Sequence, residues 1–284
     1  MTAVSCGPPT FHIVVPFMDD APLRERLRAT LESVLGQNAI AAGSAMVHVV
    51  VANGVPSSDL ALWLAEYFPQ VEIDQQVDDG MYDGLSRVLR RSNADYFGWL
   101  GAGDTYEPTA FSIVLENSGT EDEPFRITGL MRGRRGDGAI VRSFLPFRYR
   151  RRFFEGGIHG TELPTIQQES TFWNSWLHKR IDFDQWATFR LAGDFYLWRS
   201  FCRHREPLIV EAAIGSFAWH GDNQSQNYAD YLAEVRRVTR SPHVWERWAA
   251  KVEKGVWALH PALKARLARG HIRRYKWPTG PWIG

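Results

Sequence analysis

The stretch DDGMYDGLSRVLRRSNADYFGWLGAGD, residues 78–104, decides the fold. Met81, Leu85, Val88 and Leu89 recur at the spacing of one helix face, which predicts a helix over residues 81–89. YFGWL at 96–100 is an apolar run of strand length, followed by a glycine turn and Asp104. The same alternation repeats upstream. FHIVVPF at 11–17 is almost continuously apolar, the pattern of a strand buried on both faces, and Leu23, Leu27, Leu31, Val34 and Leu35 then mark a helix. MVHVVVA at 46–52 stops at the turn-forming pair Asn53-Gly54, and Leu60, Trp63, Leu64, Tyr67 and Phe68 give a second helix. VEID at 71–74 is a third strand. Strand and helix alternating over the first hundred residues predict an α/β fold, a doubly wound, mostly parallel sheet with helices on both faces. Ligands of such sheets sit beyond the carboxyl ends of the strands, so Asp19, Asp20, Asn53, Asp78, Asp79 and Asp104 should crowd one rim.

The bulk numbers agree with a folded enzyme-sized domain. The 284 residues are 44% hydrophobic and 23% charged, ordinary values for a chain with a real core. A formal net charge of +1 argues against global attraction to nucleic acid. Cys6 and Cys202 are the only cysteines, which leaves neither a disulfide framework nor a cysteine metal cluster. The N-terminus lacks a basic segment followed by an apolar one, and no apolar run approaches the length of a membrane span. The expected location is cytoplasmic.

From about residue 121 the texture changes. RITGLMRGRRGDGAIVRSFLPF predicts two strands joined by a Gly-rich basic hairpin, and RYRRRFFEGGIHGTELPT has little periodicity, as expected of an inserted, mobile region. Regular signal returns at STFWNSWLHKR, in a helix near residues 194–204, a strand at LIVEAAI and a helix over about 228–240. The expected organisation is one domain over residues 1–240, in two halves at 10–120 and 121–240. A helical, basic-aromatic extension follows at 241–284.

Three segments, in this order, resemble family 2 glycosyltransferases of the GT-A fold. HIVVPF with the helix ending SVLGQ is similar to the family's first strand and LxSVLxQ helix. The 78–104 block looks like the family's D-x-G-I-Y-D-A-x-N-K-G block, its helix, and a strand ending in an acidic motif. QQESTFWNSWL followed by FRLAGDFYLWRSF is similar to the family's H-Q-x-x-F-F and F-x-I-A-x-D-Y-D-L-W-L. The resemblance spans roughly residues 11–227. It implies inverting transfer of a sugar from a nucleotide diphosphate donor, by default a uridine diphosphate sugar, to a saccharide or lipid-linked acceptor, in cell-envelope polysaccharide synthesis.

Such a transfer needs the diphosphate neutralised, and a carboxylate to take the acceptor hydroxyl's proton. The resemblance implies that Asp104 holds Mn²⁺ or Mg²⁺, with His220 of AWHGDNQS a further ligand or else a loop histidine bonded to backbone. Asp194 occupies the position of the family's general base; the alternative reading is a routine helix N-terminal cap. Pro16, Phe17, Asn53, Asp78, Asp79, Tyr82 and Asp83 would hold the nucleotide; Asp83 is otherwise a cap or a partner of Arg87. Gln167, Gln168, Glu169 and Trp173 would line the acceptor pocket, or be loop polar groups and core.

Two departures matter. Gly101 and Gly103 replace the polar and acidic residues of a D-x-D motif, and Ala52 stands where an acidic residue usually ends the second strand. These losses motivate an alternative, a catalytically silent module that keeps the fold and binds a glycan or a partner. A nucleotidyltransferase would need a Gly-rich basic loop after the first strand, and PFMDDAPLRER lacks the glycines. Finally, Arg148, Arg150, Arg151 and Arg152 interleave with Phe147, Tyr149, Phe153 and Phe154, and the tail ends RRYKWPTGPWIG. Such mixtures suit an anionic membrane surface and predict peripheral contact with its inner face; the bland reading is a solvated face with a loose terminus.

Overall fold

In the computed structural model, which describes residues 7–120, 122–219, 227–276 and 280–283, strand β1 (Thr10–Phe17) runs through the centre of the molecule. Its pleat divides its side chains between two cores. Val14 packs with Leu85, Val88, Leu89 and Trp99 on one face. Ile13 and Val15 pack with Leu27, Leu31 and Leu64 on the other. Burial on both faces is why this strand reads as an unbroken apolar run.

β2 (Met46–Asn53) and β4 (Tyr96–Trp99) pair with β1 in parallel on either side, and β3 (Glu72–Gln75) adds in parallel to β2. Beyond β4 the sheet turns antiparallel at β9 (Thr171–Asn174) and β6 (Arg126–Thr128), then continues through β10 (Leu208–Val210), β12 (Ile272–Lys276) and β13 (Gly280–Ile283). These nine strands form the main sheet. A four-stranded sheet in the order β5 (Thr105–Tyr106), β11 (Gly215–Trp219), β7 (Met131–Arg135), β8 (Ile140–Phe144) stands at the carboxyl end of β4. Helices Arg24–Leu35 and Ser58–Tyr67 bury Leu27, Leu31, Leu60 and Leu64 on one face of the main sheet. Helices Met81–Arg90 and Gly193–Cys202 bury Leu85, Leu89, Phe195 and Leu197 on the other. The doubly wound α/β architecture expected from the sequence is the one observed.

The second half departs from expectation in three places. Residues 126–147 do not make one hairpin. Arg126, Ile127 and Thr128 are fully covered between β9 and β10, whereas β7 and β8 form the basic hairpin alone. The aperiodic segment that follows is not a loose insertion. It contains the helix Arg151–Glu155, and Phe147, Tyr149, Phe153, Phe154 and Ile158 are all core residues. Finally, the extension is helical over Val244–Trp257 and Pro261–Leu267, and then adds β12 to β10 and β13 to β12 at the edge of the main sheet. No helix among the described residues is long and apolar enough to cross a membrane.

Candidate active site

β4 delivers Trp99 to the rim, and the glycine turn 101–103 then swings Asp104 back under the second sheet. Gly103 has φ of 106°, a conformation that other residues reach only with strain, which accounts for a glycine where a polar residue was expected. Thr30 fastens the turn: its Oγ1 accepts from the Gly103 N–H at 2.9 Å and donates to the Asp104 carbonyl at 2.8 Å. The Asp104 carboxylate accepts from the Ala218 N–H of β11 at 2.8 Å and from Gln168 Nε2 at 3.3 Å. It is 6% exposed, and among the described residues no cation forms an ion pair with it. Burial pushes its carboxyl up to about 7, against the pull of the Ala218 and Gly101 backbone bonds.

Asp194 is the second residue of the helix Gly193–Cys202, where its Oδ1 accepts from the Phe195 N–H at 2.6 Å. It keeps some surface on the cavity, yet the protein around it withholds enough water to push its carboxyl up to about 6, with Glu234 adding repulsion. The turn before it is held by one carboxylate. Glu234 of the helix Tyr228–Val238 accepts from the N–H groups of Arg190, Leu191 and Ala192 at 2.9, 3.0 and 2.7 Å. Sequence reasoning passed over Glu234, which lies forty residues from the segment it secures and has no local motif.

Asp104 and Asp194, ninety residues apart in sequence, line one cavity of about 890 Å³. Met81, Tyr82, Gln168, Tyr228 and Tyr231 complete much of its wall, and Arg26 and Lys254 bring positive charge. Tyr228, Tyr231 and Lys254 were also missed; their segments read only as helices.

The remaining candidates divide. Pro16 and Phe17 end β1 beside Asn53, which is fully buried and whose Oδ1 accepts from the Asp19 N–H at 3.2 Å. Asp19 itself is clamped by Arg24 at 2.7 Å. Asp78 lies against Gly54 and Gly84, where a β-carbon would come within 2.6 and 2.8 Å of its carboxylate. Its partial burial raises its carboxyl, and Oδ1 accepts from the Gly80 N–H at 3.1 Å. Asp83 accepts from the Asp79 N–H at 3.1 Å at the start of helix Met81–Arg90. The expected alternative pairing with Arg87 is replaced, because Arg87 binds Asp74 at 2.8 Å.

On the acceptor side, Gln168 faces the cavity, whereas Gln167 is bound to both the N–H and the carbonyl of Arg132, at 2.8 and 2.7 Å. Glu169 is 2% exposed, and burial with the neighbouring Asp104 raises its carboxyl well above the usual range. Trp173 corrects the sequence reading. It has no exposed surface, and packs against Phe97, Trp99, Trp198 and Phe201 instead of presenting a ring to the cavity.

His220 lies outside the described residues. Among the described residues, no group of three or more His, Cys, Asp and Glu side chains is gathered to hold a metal. The local chemistry nevertheless suits a hard cation. Among the described residues Gln168 Oε1 is buried without a hydrogen-bond partner beside an Asp104 carboxylate that has no ion pair, and both are oxygen donors of the kind Mg²⁺ and Mn²⁺ prefer.

No family model and no curated protein matches this sequence. Solved structures do. Residues 1–349 of TarS from S. aureus match with a TM-score of 0.54 at 13% identity, over 91% of this chain and 69% of that one. The same protein in complex with UDP-GlcNAc matches with a TM-score of 0.53 at 14% identity, over 91% and 70%. The mannosyltransferase PcManGT from Pyrobaculum calidifontis, in complex with GDP-Man and Mn2+, matches with a TM-score of 0.56 at 14% identity, over 93% and 80%. At such identities the likeness is one of fold, and the chain has the mixed α/β, GT-A-like fold of these glycosyltransferase structures.

Proposed function

We propose that this chain is an inverting glycosyltransferase of the family 2 type, moving a sugar from a nucleoside diphosphate donor to a saccharide or lipid-linked acceptor in cell-envelope polysaccharide synthesis. One observation carries the reading: two water-starved carboxylates, Asp104 and Asp194, without an ion pair among the described residues, face a single cavity large enough for a nucleotide sugar. Neighbours of the same fold hold UDP-GlcNAc or GDP-Man, which supports a nucleotide-sugar donor; a uridine diphosphate sugar is the default. Burial that raises both carboxyls in one cavity favours this reading over a silent binding module.

In this reading Asp194 is the general base. Its oxygen takes the proton of the acceptor hydroxyl while the hydroxyl oxygen attacks the anomeric carbon; the bond from that carbon to the diphosphate breaks, and its electron pair leaves with the nucleotide. With a pKa near 6, the group is ionised at neutral pH and still basic enough to act. Asp104 and Gln168 would hold Mn²⁺ or Mg²⁺, whose charge would stabilise the departing diphosphate. Asn53, Asp78, Asp79, Tyr82 and Asp83, with Pro16 and Phe17, form the nucleotide rim, and Gln168 and Glu169 border the acceptor.

The test is release of nucleoside diphosphate from uridine and guanosine diphosphate sugars in the presence of Mn²⁺, repeated with Asp194→Asn. Turnover should fall as pH drops through about 6. Unchanged turnover by the asparagine variant, with donor binding intact, would refute the assigned base.

A further inference from the structure

The extension carries a surface that the sugar-transfer site does not use. Residues 241–284 contain nine lysines and arginines against two acids, in a chain whose net charge is only +1, so the body of the protein is acidic and the extension strongly basic. The two acids are turned inward: Glu246 binds Arg240 at 2.6 Å, and Glu253 binds Arg150 at 2.6 Å. The cations Arg247, Lys251, Arg266 and Arg269 are left exposed.

Helix Val244–Trp257 is amphipathic twice over. Glu246, Ala250, Glu253 and Trp257 face the protein. Val244, Trp245, Trp248 and Val252, 52–74% exposed, share the opposite arc at helical spacing, flanked by Arg247 and Lys251. Leu263 and Leu267 of the next helix add exposed aliphatic surface, and Leu267 borders a groove of about 840 Å³ shared with Trp245 and Val252. Arg152 places its guanidinium over the Trp245 ring at 5.6 Å, and Lys251 its ammonium 4.9 Å from the Trp248 ring.

We infer that this face docks the protein on an anionic lipid surface, with the two indoles and the valines entering the headgroup boundary and the flanking cations meeting lipid phosphates. Charge complementarity selects the occupant. A second copy would bring an identical basic face into contact, cation against cation. A nucleic acid would satisfy the cations but give Val244, Val252, Leu263 and Leu267 nothing apolar to bury against. The arginine run 148–152 contributes less than its sequence suggests, because Arg148, Arg150 and Arg151 are paired with Glu206, Glu253 and Glu155 and the intervening aromatics are core. The inference is independent of the sugar-transfer reading and stands or falls by a separate measurement.

The experiment is co-sedimentation of the full chain with phosphatidylcholine vesicles, with and without phosphatidylglycerol, alongside sedimentation velocity in the absence of lipid and a duplex DNA competitor. Partition should rise at least about tenfold with phosphatidylglycerol and fall back at high salt. Trp248→Glu with Val252→Glu should abolish it, and Lys251→Glu, at an exposed position, should weaken it by about tenfold. Retention of melting temperature and of nucleotide turnover would separate lost docking from lost fold. Equal partition to both vesicle types, no partition, displacement by DNA, or a solution dimer that Trp248→Glu dissociates would each overturn the inference.

Discussion

Two hollows of similar size, about 890 and about 840 Å³, lie on this molecule, and they treat carboxylates in opposite ways. The first holds Asp104 and Asp194 without an ion pair among the described residues and lets burial lift both. Around the second, in the layer built by helix Val244–Trp257, every acid is matched: Glu206 with Arg148, Glu246 with Arg240, and Glu253, although burial lifts it too, with Arg150. Volume therefore does not distinguish the proposed transfer site from the groove beside the basic extension. An uncompensated buried charge costs stability and persists where the chemistry needs it, whereas a compensated one belongs to the architecture.

The comparison breaks most visibly at Asp194. Asp194→Asn should lower turnover by roughly a hundred- to ten-thousandfold, while stabilising the fold at pH 7 by no more than about 3 kcal/mol. The sign follows from the raised carboxyl. A folded pKa of about 6 against 3.8 unfolded means that the stability of the protonated form is complete below about pH 4 and lost as pH rises through 6. Wild type should therefore melt at a lower temperature at pH 7 than the variant, and the gap should close in acid. A variant that melts earlier at both values would show that Asp194 is a structural cap.

Glu234→Ala sharpens the same side. Three N–H groups lose their acceptor, the turn before Asp194 loosens, and kcat should fall by about tenfold or more with KM nearly unchanged, since the residue does not touch substrate. On the other side of the comparison the sign reverses. Glu246→Gln should leave turnover intact and destabilise by about 1–2 kcal/mol, as a carboxylate bound to Arg240 and to the His243 N–H becomes an amide. The Arg240 bond holds this carboxyl below its usual range, so its contribution is present above about pH 4.5 and lost as pH falls. Thermal melts of Asp194→Asn and Glu246→Gln should therefore diverge from wild type in opposite directions at pH 7 and approach it as pH falls to 4.

What the sequence made legible follows the range of the forces involved. Strand and helix identities across residues 78–104, and the positions of Asp104 and Asp194 at element ends, depend on local periodicity and were readable. Meeting in one cavity is a property of topology, inferable only through resemblance. The glycines of the 101–104 turn read as a lost motif, yet Gly103 is required by a positive φ. The Arg148 run read as a surface because interleaved charge and aromatics look exposed in one dimension. In the fold the rings of Phe153 and Phe154 turn in and the guanidinium groups find acids more than fifty or a hundred residues away. Trp173 misled for the same reason, since an aromatic beside a polar loop gives no sign of which way it faces. Strand β12 was unreadable because its partner β10 lies about sixty residues upstream.

The smallest expected effect is the one that joins the two hollows. Lys254 sits on helix Val244–Trp257, the wall of the basic groove, yet faces the cavity that contains Asp104 and Asp194. It is solvent-exposed, so its attraction for a donor's phosphates is screened and worth at most about 1 kcal/mol. Lys254→Ala should accordingly raise the donor KM by only about fivefold or less, leave kcat alone, and lose even that difference at high salt, where the Debye length shrinks below the width of the cavity. An effect confined to kcat would instead place the extension in the chemistry itself. No effect at low salt would mean that the helix carrying the lipid-facing stripe and the cavity beside it work without reference to each other.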